Sequence, residues 1–334
     1  MIYRPLKPIT KIKDAIFLAG PTPRVGIEYN DPCEWREEFI DILRGKGFTG
    51  DFIDPVNPNF NQSNLAKQIK WEWEGLRLAC VIAFWIPRSK EHPALTTNIE
   101  LGEWLDNPTT FVGWNREAIK NDYIEQRCKM IGKPVFHTIE EMADKIISYF
   151  NEPKRWFATS DTHFGMERTL QLSRRPFRTV EEMDFALISN WNKKIRSKDG
   201  IIHLGDFGSP IYYPKLNFGE MKLVLGNYEI KDGYTEPDDK RVQVVPSNSS
   251  ITYRGKKYYL THETISPEND LKKFYLFGHI HRLQIVKRNG INVGTDCYRF
   301  SPVDFDEIEF LRGGIENHFD ENVFTESVKN GRLW

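Results

Sequence analysis

Five short apolar runs in the second half of this chain each lead into a residue able to donate to a metal, and that repeated arrangement constrains the fold more than any other feature. The runs are Trp156-Phe157-Ala158-Thr159-Ser160, Ile201-Ile202-His203-Leu204, Lys222-Leu223-Val224-Leu225, Tyr258-Tyr259-Leu260 and Phe274-Tyr275-Leu276-Phe277. They precede, in turn, Asp161-Thr162-His163, Gly205-Asp206, Gly226-Asn227, His262 and Gly278-His279-Ile280-His281. Four of the eight histidines in the protein fall in this series. Short apolar runs bounded by turn residues read as buried strands. The donors then lie where strands end and loops begin, the usual place for a site in an open sheet.

Imidazole, carboxylate and amide oxygen all suit a divalent first-row metal, and two ions roughly 3.5–4 Å apart clamp a phosphate while activating a water. Asp206, midway in the series, is the natural bridge. A lone histidine after a strand is more often a hydrogen-bonded structural residue, and His92, His137, His203 and His318 are read that way.

With these pieces in this order, the segment from about Arg155 to Val303 resembles the calcineurin-like metallophosphoesterases, whose pattern is D-x-H, G-D, G-N-H-D/E, H and G-H-x-H. The resemblance implies that one metal takes Asp161, His163 and His281, and the other Asn227, His262 and His279, with Asp206 shared. The ions would be manganese, iron or zinc. His279 and Asp206 would also act in catalysis. Flanking pieces match a small-protein branch of that family: His163-Phe164-Gly165, Arg175-Pro176-Phe177, Asn190-Trp191-Asn192 and Asn292-Val293-Gly294-Thr295-Asp296. Tyr228 stands where the family usually has a histidine that steadies the phosphate or protonates the leaving oxygen, and Met166 where many relatives of the branch have another. A phenol is a poorer acid at neutral pH than an imidazolium, which favours a phosphodiester or activated ester over a simple alkyl monoester. Tyr228 and Arg175 are assigned to the substrate.

At 334 residues the chain has room for two domains. Lys plus Arg number 46 against 47 Asp plus Glu, which gives no electrostatic case for wrapping duplex nucleic acid or lying on an anionic membrane. No apolar run approaches a membrane span and the amino terminus has no signal-peptide core. Cys33, Cys80, Cys128 and Cys297 lack paired spacing, which points to a reducing, cytoplasmic location. The polar segment Asn151-Glu152-Pro153-Lys154 is the expected boundary. It separates a domain at 1–150 from one at 155–312, with a polar tail, 313–334, beyond a break at Gly313-Gly314.

Before that boundary strands and helices alternate. Strands are expected at Ala15–Ala19, Phe52-Ile53, Val81–Trp85, Phe111-Val112 and Val135-Phe136, and helices around Lys67 to Leu78 and Ile99 to Leu105. Helix starts are read at Asp31-Pro32-Cys33-Glu34 and at the box Thr138-Ile139-Glu140-Glu141. The alternation predicts an α/β domain, a flavodoxin-like parallel sheet with helices on both faces. The second domain is expected to be an α/β sandwich of the metallophosphoesterase kind.

Two pieces of the first domain carry further chemistry. One is Phe17-Leu18-Ala19-Gly20-Pro21-Thr22-Pro23-Arg24. The other is Thr96-Thr97-Asn98-Ile99-Glu100-Leu101-Gly102, where the glutamate is expected in the first turn of a helix, ionised under the influence of the helix dipole. Together with Trp71-Glu72 and Phe84-Trp85-Ile86-Pro87-Arg88 they resemble a divergent branch of the nucleoside 2-deoxyribosyltransferases, over roughly Ile16 to Tyr123. The resemblance implies that Glu100 is a nucleophile toward C1′ of a deoxyribosyl group, with Gly20, Glu72 and Asn98 at the substrate. It also implies a homo-oligomer through this domain. Cys80 lies where many relatives have aspartate.

The sequence thus reads as a two-domain enzyme of nucleotide metabolism. Its first domain would cleave or exchange an N-glycosidic bond through Glu100, and its second would hydrolyse a phosphoester with two metal ions. The partner is a nucleotide or nucleoside-like small molecule. The rival reading is a metallophosphoesterase gated by a catalytically silent, nucleotide-sensing first domain.

Overall fold

The computed structural model describes residues 1–22, 34–58, 60–234, 237–264 and 272–318. Pro23, Arg24, the expected cap at Asp31-Pro32-Cys33 and residues 319–334 lie outside the described residues, as does the side chain of His318. The chain divides into two compact units.

Met1–Pro153, with Asn192–Ser197 and Pro214–Asn217, form the first. Its elements are β1 (Ile2–Tyr3), β2 (Ile16–Ala19), α1 (Trp35–Gly45), β3 (Phe52–Ile53), α2 (Leu65–Leu78), β4 (Val81–Trp85), α3 (Leu95–Trp104), β5 (Thr110–Gly113), α4 (Asp122–Met130), β6 (Val135–Phe136) and α5 (Ile139–Asn151). All its strand pairings are parallel, in the order β1-β3-β2-β4-β5-β6. Apart from the edge strand β1 this is the flavodoxin-like order, and the direction of winding reverses between β2 and β4.

The apolar runs explain the layers. Strands β2 and β4 are buried along their whole length, as strands covered on both faces must be. Alternate side chains go to opposite faces. Ile16, Leu18, Val81 and Ala83 meet Trp35, Phe39 and Leu43 of α1 and Met142, Ala143 and Ile146 of α5. Phe17 meets α2 at Gly75, where a Cβ would lie 2.9 Å from both Phe17 Cε2 and Ile53 Cγ2. Thr138 caps α5 by accepting from the Glu141 amide at 3.2 Å, as its sequence box predicts. Thr138→Ala is expected to cost about 1 kcal/mol, measured as a lowered thermal midpoint; an unchanged midpoint would mean that the cap does not stabilise α5.

Lys154–Trp191, Lys198–Tyr213 and the described residues from Phe218 onward form the second unit. Here follow β7 (Trp156–Thr159), α6 (Arg168–Leu172), α7 (Val180–Lys194), β8 (Gly200–His203), β9 (Glu220–Leu223), α8 (Asn227–Lys231), β10 (Val242–Val244), β11 (Ser250–Tyr253), β12 (Lys256–Leu260), β13 (Tyr275–Phe277), β14 (Val286–Lys287), β15 (Gly290–Asn292), β16 (Val303–Asp304) and α9 (Phe305–His318). One sheet runs β10-β9-β8-β7-β16 and the other β11-β12-β13-β15-β14. Ala158, Ile202 and Val303 from the first sheet share a core with Leu260, Leu276 and Ile291 from the second, joined by Val224 just beyond β9 and by Phe305 and Ile308 of α9. This is an α/β sandwich.

Helix α9 runs through Gly313-Gly314, where the sequence suggested a break. Ile315 reaches the buried core just beyond the pair, and Arg312 reaches across it to Glu316 at 2.7 Å. Packing outweighs the glycine penalty of about 1 kcal/mol per residue. No helix among the described residues is long and apolar enough to cross a membrane.

Candidate metal centre and a buried carboxylate pair

The five donor segments leave the carboxyl ends of β7, β8, β9, β12 and β13. Their donors gather into two groups, Asp161 with His163 and His281, and Asp206 with His262 and His279. Within each group the donor atoms lie within 4.8 Å of one another. Asp206 Oδ2 stands between the groups, 3.7 Å from His163 Nε2 and 3.5 Å from His262 Nε2. Asn227 Oδ1 comes within 3.0 Å of His262 Nε2. All seven candidate ligands are therefore brought to one place.

The hydrogen bonds fix where the lone pairs point. His262 Nδ1 donates to the Leu204 carbonyl at 2.7 Å, so its Nε2 presents a lone pair to Asn227 Oδ1, to His279 Nδ1 at 3.2 Å and to the Asp206 carboxylate. His281 Nδ1 donates to Asp296 Oδ2 at 2.9 Å, leaving Nε2 for the other group. His163 Nε2 is buried and has no hydrogen-bond partner. Burial, with Arg175 next in effect, pushes the His163 pKa well below the usual histidine range, so the ring is a neutral donor. Acceptors converging on an orphaned imidazole nitrogen are what two divalent cations require, and the donor set fits them.

The backbone is strained to achieve this. Asp161, His163, Asp206, His279 and His281 all have left-handed φ, between 49° and 70°, a region that costs a residue with a Cβ about 1–2 kcal/mol. Backbone groups approach closely at the same turns. A Cβ on Gly278 would overlap Ser160 Oγ and stand 2.6 Å from Asp161 Oδ2.

Several residues outside the ligand set hold the centre. Glu229 accepts from the amides of Asp206, Phe207 and Gly226 at 2.8, 2.6 and 2.9 Å, fastening two donor turns together. Its position two residues after Asn227 was the available signal. Asp296, at the end of the Asn292-Val293-Gly294-Thr295-Asp296 piece, carries His281. Arg175, read from the sequence as facing substrate, is instead wholly buried: it grips Asp296 with Nε at 2.9 Å and Nη2 at 2.7 Å and donates to the Asp161 and Thr162 carbonyls. With its donors spent on protein groups it has none for a ligand. Tyr228 does border the centre, its ring edge-on to His163 at 5.2 Å. Met166 Sδ lies 3.4 Å from His163 Nδ1. His203, read as structural, is fully buried against Thr162 Oγ1 at 3.0 Å.

In the first unit, Gly20 follows β2 beside the reversal of the sheet with φ +143°, and a Cβ there would overlap the Trp85 carbonyl oxygen. The turn is held by buried Arg36, which donates to the carbonyls of Leu18, Gly20 and Pro21 at 3.1, 2.8 and 3.0 Å. Glu72 and Glu100 lie within electrostatic reach of Arg36 and of each other. Gln68 Nε2 donates to Glu72 at 2.6 Å and to the Pro55 carbonyl at 3.0 Å. Asn98 is placed apart from this group, accepting from Arg88 Nη2 at 2.6 Å and lining a separate cavity with Leu101, Leu105 and Tyr123.

Glu100 also departs from expectation. Helix α3 begins at Leu95, so Glu100 lies in its second turn, and no acidic residue occupies the first. Burial first, and the Glu72 charge second, push its pKa up to about 7, with Arg36 only partly offsetting them. Helix-dipole support is confined to the end turn, so desolvation decides the matter.

Both sites lend themselves to direct measurement. Gly278→Ala is expected to destabilise the chain by about 2–3 kcal/mol and displace Asp161, read as a lower thermal midpoint; retention of the wild-type midpoint would refute the close approach. Native Glu100 keeps its proton to a higher pH than unfolded Glu100, so stability falls as pH rises from the ordinary carboxylate range through about 7. Glu100→Gln is accordingly expected to gain about 1–2 kcal/mol over wild type at pH 8 and nothing at pH 4; equal gains at both pH values would count against burial as the cause.

Residues 13–118 match the family model described as nucleoside 2-deoxyribosyltransferase like, and residues 155–300 that of the calcineurin-like phosphoesterase superfamily domain. The chain is similar to an uncharacterized protein of Methanocaldococcus jannaschii, 29% identical over 163 residues that make up 46% of this chain and 89% of that protein. Among solved structures it is similar to a protein of unknown function from Aquifex aeolicus, with 21% sequence identity and a TM-score of 0.38 over 48% of this chain and 100% of that one.

Proposed function

We propose, on the premise that this chain joins a nucleoside 2-deoxyribosyltransferase-like domain to a calcineurin-like phosphoesterase domain, that it is a dimetal phosphoesterase with a second, glycosyl-cleaving site. The observation that carries the first part is the place of Asp206 Oδ2 between two three-residue donor groups. Asp161, His163 and His281 would hold one ion and Asn227, His262 and His279 the other, with Asp206 common to both. Such ions supply Lewis acidity toward a phosphoryl oxygen and ease loss of a proton from an attacking water.

The residues themselves do the rest. His163 and His262 are buried, whereas His279 and Asn227 are exposed and form the open side where an ester can approach. Water forms the new bond to phosphorus as the ester oxygen leaves in line, and charge gathers on oxygens facing His279. Tyr228, edge-on to His163, stands at the sequence position where the resembled family has the histidine that would protonate the leaving oxygen. A phenol protonates poorly at neutral pH, so the favoured substrate is a phosphodiester or an ester with a good leaving group.

The half-buried pair Glu72 and Glu100 beside Arg36 supports the second site. Glu100 would attack C1′ of a deoxyribosyl group, forming a C–O bond as the C–N bond to the base breaks. The base leaves with the electron pair and takes up a proton from water, and Glu72, whose charge helps hold the Glu100 pKa up, is left to accept from a hydroxyl of the sugar. Water or a second base then takes the sugar. Because the nucleophile must be ionised, base release should rise with pH through about 7.

The test uses the full chain with manganese and a panel of deoxynucleosides, deoxynucleotides and a chromogenic phosphodiester, with products resolved by chromatography and mass detection. Asp206→Asn should lose ester cleavage at least 100-fold together with bound metal, and chelation should do the same while sparing base release. Two bound ions and an undiminished rate in Asp206→Asn would remove it as the bridge. Base release abolished by Glu100→Ala alone would support the glycosyl site. Calorimetric binding of an intact deoxynucleoside without product would instead make the first domain a nucleotide sensor.

A further inference from the structure

The two donor groups are braced very differently. Behind Asp161, His163 and His281 lies a charged relay: His281 Nδ1 donates to Asp296 Oδ2 at 2.9 Å and stands 3.1 Å from Ser173 Oγ, and Asp296 in turn takes a two-pronged grip from Arg175 at 2.9 and 2.7 Å. The Arg175 side chain is 0% exposed and that of Asp296 2%. The same guanidinium donates to the carbonyls of Asp161 and Thr162, so one buried cation fixes the main chain through this triad and, by way of Asp296, the ring of His281. The His281 carbonyl is itself held by Asn292 Nδ2 and by Cys297 Sγ at 3.1 Å.

Behind the histidines of the other group there is much less among the described residues, although Glu229 holds the Asp206 and Gly226 amides. His262 leans on one neutral carbonyl, that of Leu204. The His279 side chain is 40% exposed, and among the described residues its Nε2 pairs with the carboxylate of Glu263, itself 67% exposed, at 3.8 Å. Asn227 is exposed.

A carboxylate behind a ligating imidazole fixes its tautomer, raises its basicity and cuts the ordering cost of binding, and loss of such a partner typically weakens metal affinity about 10- to 100-fold. Resting on the dimetal reading above, we propose that the centre is asymmetric by construction: Asp161, His163 and His281, positioned by Asp296 and Arg175, form a tight site that fills first, and Asn227, His262 and His279 form a loose site that exchanges its ion, with Asp206 common to both. Asp296 and Arg175 are positioning residues for the tight site and touch no substrate. The loose site lies on the open side, so the ion that comes and goes is the one beside the incoming ester.

The experiment is calorimetric titration of the chelator-stripped full chain with manganese, with the free ion followed in parallel by electron paramagnetic resonance. Wild type is expected to bind two ions in separate steps whose dissociation constants differ at least about tenfold. Asp296→Asn should weaken the first step about 10- to 100-fold and leave the second within about threefold. Arg175→Lys, which keeps the charge and loses the fork, should shift the same step in the same direction. Asn227→Ala should weaken the second step alone. Melting curves of the stripped variants separate these shifts from misfolding, and the wild-type steps stand as a test that needs no variant. Equal affinities in wild type, or an Asp296→Asn effect shared evenly by both steps, would overturn the asymmetry while leaving the dimetal reading intact. No manganese binding by wild type would overturn both.

Discussion

Mutual repulsion among acceptors is the force that the second unit is organised to withstand. Two carboxylates, an amide oxygen and imidazole lone pairs are aimed into one volume, with Asp206 Oδ2 within 4 Å of two histidine nitrogens. Before a cation enters, few contacts draw the members of such a cluster together: His262 Nε2 meets Asn227 Oδ1 at 3.0 Å and His279 Nδ1 at 3.2 Å. The turns are therefore held from outside. Glu229 collects three amides, Arg175 collects Asp296 and two carbonyls, and the Asp161 carboxylate accepts the His279 amide on both oxygens, at 3.1 and 2.9 Å. The strands behind these turns share an apolar core that is almost completely buried. Scaffold rigidity adds to the little attraction that the donors have among themselves.

The first unit meets a related difficulty at smaller scale. Two carboxyl groups sit near the reversal of a parallel sheet, with one buried guanidinium between the backbone and the pair. Arg36 spends three of its donors on carbonyls around Gly20 and its Nε lies 3.6 Å from buried Asp54 Oδ1, so Glu72 and Glu100 share its charge with a third carboxylate. One partly committed cation cannot keep both acids ionised against burial, and Glu100 rises to about 7. A group that changes charge near neutral pH suits either chemistry or sensing, and the distinction between them is a matter of what the pair does to a bound nucleoside.

Most of the strand positions were legible in the sequence because the strands are buried on both faces and so appear as unbroken apolar runs, as in Val81–Trp85 and Phe274–Phe277. The metal donors were legible for a different reason: each follows such a run and sits against glycine or another donor. What escaped were residues whose role depends on a long-range partner. Arg175 and Asp296 are 121 positions apart, and no local pattern tells a guanidinium facing a ligand from one buried against a carboxylate. Glu100 was misplaced by one helical turn because α3 starts at Leu95 without a capping side chain. Burial then reversed the electrostatic argument built on that position. The glycine pair in α9 failed as a helix stop because Ile315, just beyond it, has a core to enter.

The left-handed backbone at five of the seven donors has a consequence for how this centre can change over generations. Among residues that carry a Cβ, those most at ease in that conformation are asparagine, aspartate and histidine. These are also metal donors. The turns thus impose, through sterics alone, a restricted alphabet that coincides with the alphabet of ligation. Drift at these positions would tend to exchange one donor for another, so the choice of metal could shift while the capacity to hold one was kept. Isoleucine or valine, which would abolish ligation, would also meet resistance from the main chain itself.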